Sequence, residues 1–129
     1  MNADVPVLNR ISQRTIGCAL AVSNMLGCGF LEKVYENALA YELRQAGLAV
    51  CQQAGVTVRY RGVTVGQYIA DLLIEQAVAV ELKAVRALDN VHRAQCMNYL
   101  KASNLRLCLL LNFGRPRLER FIVWSGGCE

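Results

Sequence analysis

The chain has 129 residues, is 54% apolar and 19% charged, and carries a formal net charge of +4. That size suits one core and a single domain over 1–129, and the composition excludes disorder and low-complexity structure. The longest apolar runs, such as Cys108–Leu111, fall far short of the roughly 20 residues that cross a bilayer, so no membrane partner is expected.

The opening Met1-Asn2-Ala3-Asp4-Val5-Pro6 has no basic stretch ahead of an apolar one. No signal peptide is read there, and a cytoplasmic location is expected. The first periodic segment runs from about Arg10 to Leu26, with Ile11, Thr15, Cys18, Ala19, Val22, Met25 and Leu26 at helical spacing. Gly27-Cys28-Gly29 ends it. A second helix spans about Leu31 to Gln45 and stops at Gly47. Val56–Tyr60 and Val63–Val65, joined by Arg61-Gly62, read as a β-hairpin, with Gly66 marking a bend or bulge. Strands about Tyr68–Ile74 and Ala77–Ala84 follow. A third helix runs from an Asp89 N-cap to about Ala102. Arg106–Asn112 and Leu118–Trp124 are the last strands. Leu107–Leu111 shows no polar alternation, which predicts an interior strand buried on both faces. The order α-α-β-β-β-α-β-β predicts an α/β (α+β) fold with helices flanking a mixed sheet.

Six cysteines, Cys18, Cys28, Cys51, Cys96, Cys108 and Cys128, include no CxxC pair, and there is one histidine. Zinc spacing is therefore absent, and the thiols are expected to be buried, apolar in behaviour and unbridged.

Charge sits inside two otherwise apolar strands, Tyr68–Ile74 and Val78–Lys83. Buried charges are costly unless paired or holding a metal. Glu81 and Lys83 share one strand face, about 7 Å apart. A two-residue turn between the strands would set Asp71 against Val80. A three-residue loop, Glu75-Gln76-Ala77, pairs Leu72 with Val80, Ala70 with Leu82 and Ile74 with Val78, leaving that face wholly apolar. The three-residue register buries apolar surface consistently and brings Asp71 beside Glu81. Two adjacent carboxylates repel, so one takes a proton or a cation sits between them. Paired hard oxygen ligands suit Mg²⁺ or Mn²⁺, and the Lys83 ammonium would orient a water or offset charge on a phosphate. The simpler alternative is an Asp–Lys–Glu ion-pair cluster.

On the second helix Glu32, Tyr35 and Glu36 share a face, and on the third His92, Gln95 and Tyr99 form a polar stripe. Taken alone, Glu32 would be read as a carboxylate favoured by the helix dipole, and the stripe as helix surface.

The run Gly29-Phe30-Leu31-Glu32-Lys33-Val34-Tyr35 resembles the signature that names the bacterial GxxExxY proteins. The likeness continues through Ala70-Asp71-Leu72-Leu73, Val80-Glu81-Leu82-Lys83 and Gln95-Cys96-Met97-Asn98-Tyr99, covering about residues 10–124. Those proteins look like compact members of the PD-(D/E)xK phosphodiesterase superfamily, with a restriction-endonuclease-like core. The resemblance implies that Asp71 and Glu81 hold a divalent metal (Mg²⁺ or Mn²⁺) and that Lys83 is the catalytic lysine. Glu32 would be a further metal ligand, directly or through water. Gln95 and Tyr99 would support the site or touch DNA, with Tyr35 and Gly29 also supporting it. Ala70 stands where the proline of the superfamily name would be.

The leading expectation is a metal-dependent nuclease acting on nucleic acid, DNA in preference to RNA. The alternative is a non-catalytic nucleic-acid-binding or scaffolding module on the same fold. Arg59, Arg61, Arg86 and Arg93 are candidate phosphate contacts, with solvated surface as the equal alternative. No dedicated DNA-reading element is visible, so a homo-oligomer or a protein partner is the expected aid in gripping a duplex.

Overall fold

A computed structural model describes residues 4–126. Helix α1 (Val5–Leu26) starts earlier than the periodicity alone implies. Asp4 Oδ1 accepts the Val7 N–H at 3.1 Å, and Pro6 lies in the first turn, where its missing N–H costs nothing. Helix α2 spans Glu32–Gln45. The hairpin strands β1 (Val50–Tyr60) and β2 (Val63–Ile74) are longer than expected, and β2 runs unbroken through Gly66. The anticipated irregularity is there: the register slips by one residue between Val58 and Arg59, leaving Val65 unmatched beside Gly66. Strand β3 (Val78–Lys83), helix α3 (Asn90–Ser103) and strands β4 (Leu107–Asn112) and β5 (Glu119–Trp124) complete the order read from the sequence.

The sheet runs β1-β2-β3-β4-β5. All neighbours are antiparallel except β3 and β4, which are parallel because α3 carries the chain across between them. β4 is buried along its whole length, as its unbroken apolar sequence requires. Helices α1 and α2 cover one face, packing Leu8, Leu39 and Leu43 on Leu72, Val80 and Leu109. Helix α3 covers the other, packing Cys96, Tyr99 and Leu100 on Ala79, Cys108 and Leu110. Alternation along β3 therefore sends Glu81 and Lys83 to the α3 side with Ala79. Among the described residues no helix is long and apolar enough to cross a membrane.

The described cysteines are all free, while Cys128 lies outside the described residues. The expectation that the thiols are buried holds for Cys96 and Cys108 but not for Cys28 and Cys51, which are exposed. Cys28 sits in the turn between α1 and α2, and Cys51 on an edge strand.

Candidate active site

The three-residue register between β2 and β3 is the one observed: Leu72↔Val80, Leu73↔Ala79 and Ile74↔Val78. Glu75 and Gln76 take left-handed backbone, φ +53° and +54°, and the Ala77 N–H closes on the Ile74 carbonyl at 3.0 Å. Two bonds between Glu75 and Ala49 hold this strained loop, Glu75 N–H to Ala49 O at 2.8 Å and Ala49 N–H to Glu75 Oε2 at 2.6 Å.

Past Leu72↔Val80 the strand pairing stops. The expected Ala70–Leu82 pair is not made, and Ala70 packs into the α3-side cluster rather than with Leu72 and Ile74. Instead the Leu82 N–H donates to Asp71 Oδ2 at 2.7 Å. The side chain of Asp71 thus takes a donor that no β2 backbone partner receives.

This opening leaves a cavity of about 290 Å³ lined by Tyr68, Ile69, Asp71, Glu81, Lys83, Gln95 and Tyr99. Five of the eight residues singled out from the sequence meet there. Glu81 is only 7% exposed. Burial, with the Asp71 carboxylate beside it, pushes its pKa up to about 8, and Lys83 opposes this only in part. Two crowded carboxyls without a cation between them favour a proton on one, and the upward shift falls on Glu81. Tyr99 is buried, donates its hydroxyl to the Ala54 carbonyl at 3.2 Å and is raised in pKa by burial and by Glu81. Gln95 is exposed on the same wall.

The end of β3 that carries Lys83 is clamped. The Phe113 N–H donates to the Lys83 carbonyl at 2.8 Å. The buried Asn112 side chain accepts from Val85 N–H at 3.0 Å and donates to Val85 O at 2.9 Å. A Cβ on Gly114 would stand 2.3 Å from the Val85 carbonyl oxygen, so only glycine lets the two segments lie this close.

Glu32, Tyr35 and Gly29 do not line the cavity. Glu32 is exposed at the first residue of α2, yet its charge contributes to raising Glu81. Tyr35 is wholly buried and serves the loop before α2: its hydroxyl donates to Gly27 O at 2.6 Å and accepts the Phe30 N–H at 3.2 Å. Its ring stacks on Phe113, centroids 4.8 Å apart. Gly29, at φ +116°, supplies the backbone that this loop needs. His92 leaves the polar stripe, because its Nδ1 accepts the Asp89 N–H in a capping box.

Sequence reasoning missed Gln53 and the full role of Glu36. Glu36 points inward, 4% exposed, and is held by Lys33 at 3.1 Å, Gln52 at 2.8 Å and Gln53 at 2.8 Å. The Gln53 amide also donates to Asp71 Oδ1 at 3.4 Å, so it ties the α2 carboxylate to the cavity. Gln53 does this from a left-handed backbone, φ +54°, opposite the point where β2 leaves β3. Among the described residues it is the one non-glycine residue to take this conformation inside a strand, and nothing in the sequence announces it. None of the four candidate phosphate-binding arginines lines the cavity: Arg59 bonds Thr64, and Arg93 lies over the Phe121 ring.

A profile of the PD-(D/E)XK nuclease superfamily matches residues 9–122. No curated protein matches the chain. Among solved structures, SSO0001 is similar at 15% identity and a TM-score of 0.58, over 73% of this chain and 50% of that one. An alkaline exonuclease (LHK-Exo) from Laribacter hongkongensis is similar at 10% identity and a TM-score of 0.54, over 74% of this chain and 57% of that one. The chain thus spans about half the length of these solved structures.

Proposed function

The chain belongs to the PD-(D/E)XK nuclease superfamily, and on that footing we propose that it is a metal-dependent nuclease of the GxxExxY type, hydrolysing phosphodiester bonds in DNA rather than RNA, with 1–129 acting as one domain. The observation that carries this reading is the sharing of one cavity by Asp71, Glu81 and Lys83, with Glu81 raised to about 8 by burial and by Asp71. Nucleases of this superfamily generally use divalent metal ions. The donor set fits Mg²⁺ or Mn²⁺, which take one or two carboxylates and complete their shell with waters and substrate phosphate. Among the described residues no cluster of three His, Cys, Asp or Glu side chains converges. Asp71 and Glu81 are therefore the proposed direct ligands, and Glu32, exposed but electrostatically coupled to Glu81, acts through water.

A bound divalent cation would supply Lewis-acid polarisation of the phosphate. The chain's own residues do the rest. Asp71 is fixed by the Leu82 N–H and the Gln53 amide. Lys83 places its ammonium on the same face as Glu81, where it orients the attacking water and offsets charge gathering on phosphate oxygens. Gln95 and Tyr99 form the α3 wall against which the substrate rests.

The test is a cleavage panel of single-stranded DNA, duplex DNA and RNA with Mg²⁺ or Mn²⁺, together with a calorimetric Mn²⁺ titration. Cleavage of DNA, and Mn²⁺ binding abolished by Asp71→Ala, are expected. Nucleic-acid binding without cleavage under any metal would replace this reading with the non-catalytic module.

A further inference from the structure

The outer part of the β1–β2 hairpin lies beyond the core. Strand β1 is a sheet edge, and β2 pairs with β3 only at Leu72–Ile74, so Gly55–Ile69 is a two-stranded ribbon. Every residue from Arg59 to Ile69 is exposed. Tyr60, Val63 and Val65 are each about 60% exposed. From Gly55 to Ala70 there is no acidic residue, and Arg59 and Arg61 are the only charges.

Cross-strand partners share a face, and β1 carries no extra residue at the slip, so even alternation along Val56, Val58 and Tyr60 puts the Val56–Tyr68 and Tyr60–Val63 pairs on one side of the ribbon. Val56 packs into the α3-side cluster, the side to which Glu81 and Lys83 project. Tyr68 lines the cavity itself. Tyr60 lies four strand residues further out than Val56, about 13 Å along the same face. The Arg61 guanidinium sits 5.5 Å above the Tyr60 ring.

We propose that this ribbon is a landing strip for single-stranded nucleic acid, with bases stacking on Tyr60 and Tyr68 and the backbone led into the Asp71–Glu81–Lys83 cavity. The direction of travel rests on the nuclease reading of that cavity. Exposed aromatic rings interleaved with an arginine offer every base a stacking surface regardless of sequence. A duplex hides its base faces and is held through many phosphate contacts, and two arginines on the ribbon are too few for that. A ribbon that existed to pair two copies of this chain would gain nothing from clearing all carboxylates from its length, whereas a polyanion would.

The test measures binding in EDTA, where no metal-dependent cleavage occurs, using fluorescently labelled oligothymidylate and a duplex of equal length. The single strand is expected to bind more tightly than the duplex. Tyr60→Ala should weaken single-strand binding by about five-fold or more, the low end of the cost of losing one stacked base. Tyr60→Phe keeps the ring and should stay within about two-fold of the unaltered chain on the same stacking argument. Unchanged binding by Tyr60→Ala, a preference for duplex, or dissociation of a dimer by Tyr60→Ala in sedimentation would overturn the proposal. The two readings fail separately. A Tyr60 effect in EDTA without cleavage in metal leaves the ribbon standing and removes the nuclease, whereas cleavage with no Tyr60 effect removes only the ribbon.

Discussion

The Asp71 carboxylate accepts the Leu82 N–H at 2.7 Å at the point where strands β2 and β3 part. The bond links the two strands that, with α3, build the cavity. It satisfies a donor that the lost strand pairing would leave bare, and it fixes one Asp71 oxygen while the other faces Gln53. Asp71→Asn should keep the fold, with an amide oxygen available for Leu82, and lose most Mn²⁺ affinity. Titration calorimetry with thermal melting of the same samples checks both halves.

Glu81 gives a pH dependence of known sign. Its pKa is about 8 in the fold against an ordinary 4.5. A raised carboxyl favours the fold while protonated, and that contribution fades as pH climbs from the ordinary value through the folded one. In EDTA the melting temperature should fall between about pH 5 and about pH 9, and Glu81→Gln should flatten the fall and melt higher at the alkaline end. Because a metal must displace the Glu81 proton, stabilisation by Mn²⁺ should be larger near pH 8 than near pH 6. Equal Mn²⁺ effects at both would count against a metal at Glu81.

Glu36 anchors the amide that reaches Asp71. Glu36→Ala leaves Gln52 and Gln53 without their buried acceptor and should cost about 1–3 kcal/mol in urea denaturation. It should also weaken Mn²⁺ binding, because Gln53 loses the partner that aims it. A stability loss with unaltered Mn²⁺ affinity would make Glu36 purely structural.

The register that joins Asp71 to Glu81 was legible because one alignment makes a consistent apolar face of Leu72, Ile74, Val78 and Val80. Asp89 and the apolar β4 were legible for equally local reasons. The early start of α1 is signalled by Asp4 and Pro6, which lie outside its apolar periodicity. Gln53 was not legible. Its role needs a left-handed residue on one strand to meet a departing neighbour on another, and polar residues at a sheet edge look like surface. Tyr35 was legible as part of a signature but not as a loop clamp, since its partners Gly27 and Phe113 are distant in sequence.

The clamp behind Lys83 predicts that Gly114→Ala is among the more damaging single-methyl additions. The new Cβ would meet backbone at Val85 and Ala84 at 2.3–2.7 Å, where no flexible side chain can yield. A loss of about 1–3 kcal/mol is expected, the usual range for overpacking. Denaturation with an unchanged midpoint would show that the 113–115 turn moves freely from β3.

Tyr35 stacks on Phe113, whose N–H holds the Lys83 carbonyl. Tyr35→Phe keeps the stack and loses the hydroxyl's bonds to Gly27 and Phe30, at about 1–2 kcal/mol in all. Tyr35→Ala loses the stack as well as those bonds and should cost about 3–5 kcal/mol. Similar losses for the two variants would place the whole contribution in the hydroxyl.

Asp71, Glu81 and Lys83 are proposed to perform phosphodiester hydrolysis together, and the decisive measurement is the cleavage rate of labelled DNA in Mn²⁺. The unaltered chain should cleave, and Lys83→Ala should be slower by about 100-fold or more, the loss typical of removing one group that stabilises transition-state charge. Cleavage by Lys83→Ala at the rate of the unaltered chain would remove Lys83 from the chemistry and with it the proposed site.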